Sequence, residues 1–146
     1  MTNNLYTRYM GLDYGTVRIG VSVSDPLKII AQGFTTLANN ADCLDRITAI
    51  IEEQAVEKII VGNPLNLRGE VSTKAEEVGE FVKRLKTKTS VEIIMLDERF
   101  TSVMAQRSII TMGAKKKQRQ NNKGKVDEVA AAILLQSYLD TQSHAR

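Results

Sequence analysis

The reading of the fold rests on the stretch Arg8-Tyr9-Met10-Gly11-Leu12-Asp13-Tyr14-Gly15-Thr16-Val17-Arg18-Ile19-Gly20-Val21-Ser22-Val23-Ser24. It divides at Tyr14-Gly15-Thr16, a tight turn joining two β-segments, residues 8–13 and 17–24. In the second segment Val17, Ile19, Val21 and Val23 alternate with Arg18, Gly20, Ser22 and Ser24. That period of two is the pattern of an antiparallel strand. Asp25-Pro26 breaks it, and residues 29–37 supply a third strand.

Beyond the hairpin the period changes. Asn39 and Asn40 offer caps for a helix whose apolar stripe is Leu44, Ile47, Ile50 and Ile51. Residues 58–61 form a short apolar strand closed by Gly62-Asn63-Pro64. A second amphipathic helix is predicted over 71–85, with Val71, Ala75, Val78, Phe81, Val82 and Leu85 at spacings of three and four. Residues 91–96 read as a buried strand ending at Asp97-Glu98. Thr101 can cap a helix to residue 112, where Gly113 can end it. A polar, basic loop over 113–125 and a last helix over 126–139 complete the chain. This order predicts an α/β domain spanning residues 1–146. Its core is a five-stranded mixed sheet, three antiparallel strands followed by parallel ones, with helices on both faces. In such sheets sites form beyond the carboxyl ends of the parallel strands. Asp13, Asn63 and the Asp97-Glu98 pair all stand at those ends.

With 146 residues, the chain is long enough for one domain with a substantial core. The longest apolar run, residues 129–135, falls far short of the roughly 20 residues that span a membrane. The opening Met-Thr-Asn-Asn-Leu-Tyr-Thr-Arg has no apolar core of a signal peptide. A single cysteine, Cys43, allows no internal disulfide and points to a reducing cytoplasm. One histidine, His144, stands near the end of the sequence. Zinc sites built on His and Cys are therefore excluded, and Ser-His-Asp or Cys-His catalysis nearly so. Chemistry here must rest on carboxylates, lysines or hydroxyls.

The net charge of +3 conceals an uneven distribution. Residues 1–82 carry −4, residues 83–125 carry +9, and residues 126–146 carry −2. A basic block on an otherwise acidic chain is the footprint of a polyanion binder, a solvated helix face being the plainer alternative. Residues 113–125 include Lys115, Lys116, Lys117, Arg119, Lys123 and Lys125 but no aromatic side chain. A flexible loop of this kind can order on nucleic acid through phosphate contacts rather than base stacking.

The acids are individually unremarkable. Asp13 suits a turn, and Asp127, opening the last helix, suits a cap or a favourable first-turn acid. Asp97 and Glu98 are consecutive, so on a strand they point to opposite faces. Taken together, carboxylates from separate elements without His or Cys make an oxygen-ligand site for Mg²⁺ or Mn²⁺. Two such ions about 4 Å apart suit phosphodiester cleavage.

The run Gly11 to Asp25 resembles the first motif of the YqgF/RuvX family. Its members are ribonuclease H-like proteins described as Holliday junction resolvases and as nucleases that mature the 5′ end of pre-16S ribosomal RNA. The likeness continues through Val61-Gly62-Asn63-Pro64-Leu65 with Gly69, Asp97-Glu98-Arg99-Phe100-Thr101-Ser102 and Lys125-Val126-Asp127-Glu128-Val129-Ala130-Ala131. It implies a ribonuclease H-like fold and metal-binding, catalytic carboxylates at Asp13, Glu98 and Asp127, with Asp97 a less certain neighbour. It places Arg18 on a phosphate, and Arg99 joins the basic loop residues as a nucleic-acid contact. Val17 stands where the family often has lysine, and Asn63 where an apolar residue is usual; neither change touches a carboxylate.

The implied activity is a metal-dependent endonuclease acting on structured RNA, with branched DNA second. A non-catalytic assembly or transcription factor would need only the basic block. The Asp13-Tyr14-Gly15-Thr16 turn is also similar to the phosphate loop of actin and sugar kinases, but those proteins are far longer. The expected assembly is a monomer or a weak homodimer, without membrane association.

Overall fold

The hairpin forms as its alternation requires. Strand β1 (Arg8–Tyr14) pairs antiparallel with β2 (Arg18–Ser24), Met10 opposite Val23 and Asp13 opposite Gly20. Strand β3 (Ala31–Ala38) adds antiparallel to β2. On the other side of β1, strand β4 (Val56–Asn63) runs parallel to it, and β5 (Glu92–Asp97) runs parallel to β4. The sheet order is β3-β2-β1-β4-β5. The structure, a computed structural model, describes residues 6–65, 68–98 and 123–144, with side chains from 125 to 143 in the last stretch.

Two helices cover one face, α1 (Cys43–Glu53) and α2 (Thr73–Lys86). Beneath them Met10, Leu12, Ile19, Val21, Ile59 and Val61 pack against Ile47, Val78, Phe81 and Leu85, all at most 1% exposed. The Tyr14 and Phe81 rings meet at 4.9 Å between centroids. The opposite face carries α3 (Lys123–His144), whose Leu134, Leu135, Tyr138 and Leu139 cluster with Ile60. This face of β1 and β2 is lined by Gly11, Gly20 and Ser22, so the α3 backbone lies almost on the sheet. A Cβ at Gly11 would meet the Ala131 carbonyl oxygen at 2.9 Å. Ser22 Oγ donates to that same carbonyl at 2.8 Å.

Several boundaries differ from the expectation, each for a local reason. Strand β3 starts at Ala31 because Asp25 Oδ1 accepts the amides of Ile29 (2.7 Å) and Ile30 (2.9 Å), folding them into a loop with Lys28 at φ 58°. Val17 is 67% exposed and belongs to the turn. Val71, counted in the apolar stripe, is 64% exposed, and helix α2 begins after it, capped by Ser72 Oγ accepting from the Ala75 amide. Helix α1 is preceded by Asp42, which makes no side-chain cap, instead of by Asn39 or Asn40 as the cap. Helix α3 begins at Lys123, so the last three residues of the expected loop 113–125 are helical. No buried apolar side chain marks that first turn, which is why periodicity starts the helix too late. The helix expected over 101–112 lies outside the described residues. No helix among the described residues is long and apolar enough to cross a membrane.

Candidate metal and phosphate site

Asp13 ends the apolar run of β1, where strand alternation gives it the same face as Gly11, beneath α3. It is buried, at 7% exposure. Its antiparallel partner is Gly20. A Cβ at Gly20 would strike the Asp127 carbonyl oxygen and lie 3.2 Å from the Asp127 Cβ, so Asp127 sits over that glycine. On the other side of Asp13, Gly62 follows Val61 just as Asp13 follows Leu12, Val61's partner. A Cβ at Gly62 would strike Glu98 Oε1 and lie 3.1 Å from its Cδ, so the Glu98 carboxyl sits over this second glycine. Glu98 is 6% exposed. Asp127, Asp13 and Glu98 thus occupy one row across β2, β1 and β4, on one face.

Asp97 and Glu98 part to opposite faces at the end of β5. Asp97 is the last residue of that strand, paired with Asn63, and shares the alternation of Ile93 and Met95. Ile93 packs into the core under α1 and α2, whereas Leu96 packs under α3. Glu98, one residue beyond the strand, lies on the α3 side with Asp13, while Asp97 belongs to the other face.

Arg18 opens β2, next to the turn, and its Nε donates to Asp127 Oδ2 at 2.7 Å. Asn39 fixes that turn: its Nδ2 donates to the Gly15 carbonyl at 2.8 Å and its amide to the Val17 carbonyl at 2.9 Å. Asp127 lies one turn inside α3 instead of opening it, so neither cap nor first-turn acid describes it.

Three carboxylates from three elements are hard oxygen donors of the kind Mg²⁺ and Mn²⁺ take. Glycine beneath two of them clears the volume that a Cβ would fill. Among the described residues, no group of three or more such side chains is gathered tightly enough to clasp an ion. Asp127 is drawn onto Arg18 instead. The donor set fits in kind, and an ion there would compete with Arg18 for Asp127.

The basic residues divide. Arg18 joins the carboxylates. Lys125 is exposed and lines a groove of about 280 Å³ between α3 and β3 with Gly33 and Glu128, away from them. Lys123 is the first residue of α3. Arg99, Lys115, Lys116, Lys117 and Arg119 lie outside the described residues. Residues that sequence reasoning passed over are Gly20 and Gly62, which make room for the acids, and Asn39 and Ser22. The two glycines had a signal, since each falls within a strand or at its end, where a missing side chain marks close approach.

The chain matches the family model described as RuvX, Holliday junction resolvase, over residues 7–141. It is 44% identical over 137 residues to a Bacteroides fragilis protein named "Putative pre-16S rRNA nuclease", covering 93% of this chain and 98% of the relative. A protein of the same name from Phocaeicola vulgatus is 42% identical, covering 94% and 99%. Among solved structures, T. thermophilus RuvC in complex with a Holliday junction substrate aligns with TM-score 0.59 at 15% identity, covering 94% of this chain and 96% of that one. The Fowlpox virus resolvase complexed with Holliday junction DNA aligns with TM-score 0.54 at 10% identity, covering 93% and 99%. At such identities the likeness is one of fold, and the fold is ribonuclease H-like.

Proposed function

The chain belongs to the RuvX family, and from that premise we propose that it is a metal-dependent endonuclease processing the 5′ end of pre-16S rRNA. One observation carries the reading. Asp13, Glu98 and Asp127 line up in a single row, two of them over glycines that leave room for nothing larger. Burying carboxylates between a helix and a sheet costs desolvation that apolar side chains would avoid, so three of them in one row point to a use beyond packing.

Asp13, Glu98 and Asp127 would hold two Mg²⁺ or Mn²⁺ ions. Bound there, such ions supply an activated water and charge stabilisation at the leaving oxygen. Arg18, released from Asp127, would hold a substrate phosphate beside the acids. The basic block from 83 to 125, with Arg99, Lys115, Lys116, Lys117, Arg119, Lys123 and Lys125, adds salt-dependent attraction for the backbone. This work belongs in the cytoplasm, with structured RNA as the first substrate and a monomer or weak homodimer as the acting form.

The family's description favours a second reading, resolution of branched DNA. That reading calls for a two-fold dimer, because two strands are cut symmetrically.

The test is incubation with Mg²⁺ or Mn²⁺ of two labelled substrates, a pre-16S leader fragment and a four-way DNA junction. The Asp13→Asn variant runs beside the wild type. Cleavage of the leader by wild type alone supports the proposal, and cleavage of the junction alone moves it to the second reading. Full cleavage by Asp13→Asn removes the metal mechanism. Binding of both without cutting leaves a non-catalytic assembly or transcription factor.

A further inference from the structure

A cleft of about 490 Å³ opens around the β1–β2 turn, from the first turns of α3 to the first turns of α2. This is within the roughly 300–1,000 Å³ of sites that hold small ligands. One wall carries Thr16, Arg18 and Asp127, so the cleft is continuous with the carboxylate row. The other carries Thr73, Lys74 and Glu77. Helix α2 packs on the opposite face of the sheet from the acids, so a strand lying in this cleft would wrap around the turn at the sheet's end. The cleft joins two cations, Arg18 and Lys74, two hydroxyls and two half-buried acids, Glu77 and Asp127, with the exposed Val17 as its apolar patch; Asp127 is already paired with Arg18, which leaves Lys74 and Glu77 to meet a ligand.

We propose that this cleft holds one ribonucleotide of the substrate strand beside the scissile bond, Lys74 gripping its phosphate and Glu77 accepting its 2′-hydroxyl. The proposal rests on the nuclease reading and names its substrate as RNA. Lys74 lines the cleft from α2 and Arg18 from the start of β2, so a phosphate between them would meet cations from two elements once Arg18 leaves Asp127. Point-charge cations on long stems suit phosphate. Glu77 needs a different account, because an acid beside a phosphate is repulsive. A carboxylate has acceptor capacity only, and the ribose 2′-hydroxyl is the one donor that every ribonucleotide backbone offers and deoxyribose lacks. Glu77 therefore favours RNA: its repulsion of the phosphates is common to both nucleic acids, and only the 2′-hydroxyl bond offsets it. Thr16 and Thr73 supply hydroxyls to the same phosphate.

The experiment measures binding by fluorescence anisotropy without divalent metal, using one single-stranded RNA and the DNA of identical sequence. It compares wild type, Lys74→Gln and Glu77→Ala, with leader cleavage assayed in parallel. Lys74→Gln is expected to weaken RNA and DNA about equally, five- to tenfold, and to lower the salt slope by about one. Glu77→Ala is expected to cut the RNA-over-DNA preference three- to tenfold, with DNA binding unchanged or tighter. Both positions are exposed or half-buried on α2, and circular dichroism checks that the variants fold. An RNA preference unmoved by Glu77→Ala overturns the ribose contact; unchanged affinity in Lys74→Gln overturns the phosphate site. In either case, a wild type that still cuts the leader leaves the nuclease reading standing. A wild type that binds neither strand overturns the cleft proposal, and one that also leaves the leader uncut overturns the nuclease reading as well.

Discussion

Replacing Gly62 by alanine separates the site from the fold. The new methyl would stand 3.1 Å from Glu98 Cδ and 3.3 Å from Cγ, with Oε1 nearer still. Carbon atoms in comfortable contact sit roughly 3.5–4.0 Å apart. The carboxyl carbon must therefore retreat by about 0.5–1 Å, and Oε1 by more. A misplacement of about 1 Å at a reacting centre can cost roughly a hundredfold in rate. The cost to folding is small, since the atoms in the way belong to the end of a side chain that can turn aside. An off-rotamer Glu98 costs about 0.5–1.5 kcal/mol, and alanine in a strand recovers roughly 0.5–1 kcal/mol over glycine. Urea unfolding of Gly62→Ala should thus stay within about 1 kcal/mol of wild type, while leader cleavage under saturating Mg²⁺ falls about a hundredfold. Full cleavage by a folded Gly62→Ala would refute the placement of Glu98 in the reaction. A loss of several kcal/mol would show that the glycine serves packing instead.

The neighbouring glycine should behave oppositely. At Gly20 the obstacle is the Asp127 backbone, with its carbonyl carbon 2.6 Å from a Cβ, so Gly20→Ala must displace α3. Its urea midpoint should fall by an amount corresponding to about 1–3 kcal/mol along with cleavage; wild-type stability would contradict the close approach of α3. Arg18→Gln frees Asp127, so calorimetry should show Mn²⁺ binding tighter and RNA binding several-fold weaker, and unchanged Mn²⁺ affinity would deny the competition. Asp25→Ala removes the acceptor of two loop amides, costing about 1–2 kcal/mol by thermal unfolding, each bond being worth about 0.5–1.5 kcal/mol. Burial pushes the Asp25 carboxyl up, but the Ile30 and Ile29 amides outweigh it and hold the pKa below its ordinary 3.8. This stabilisation is complete above that ordinary value and is lost as pH falls through the lowered one. Wild type should lose its advantage over Asp25→Ala below about pH 4. A constant difference down to pH 2 would exclude the linkage.

Period and punctuation made most of the fold legible. The alternation of Ile19, Val21 and Val23, and the helical spacing of Val78, Phe81, Val82 and Leu85, are one-dimensional images of the buried surfaces they form. What stayed hidden was whatever lacked an apolar side chain to announce it. The first turn of α3 lacks a buried apolar side chain, so periodicity starts the helix late. Val71 fits the stripe by spacing but precedes the Ser72 cap, and hydrophobicity alone does not mark a boundary. The acids were legible as residues at strand ends, and the family resemblance selected among them. Their arrangement was not, because the choice between Asp97 and Glu98 depends on β5 ending one residue before Glu98.

That arrangement ties chemistry to packing. Asp127 and Ala131 are four residues apart on α3, and Leu135 four further, so all three share one side of the helix. Ala131 and Leu135 are fully buried against the sheet, and Ala131's carbonyl accepts from Ser22. The position of Asp127 is therefore set by core contacts one and two turns away, more than by anything around the acid itself. Asp13 is held likewise by the central strand of the sheet, with β2 on one side and β4 on the other. Glu98, one residue beyond β5, and Arg18, at the start of β2, stand at element ends instead. On this account Gly62→Ala should disturb the chemistry with the fold intact, because it meets only the end of the Glu98 side chain, whereas Gly20→Ala should disturb both, because it meets the α3 backbone.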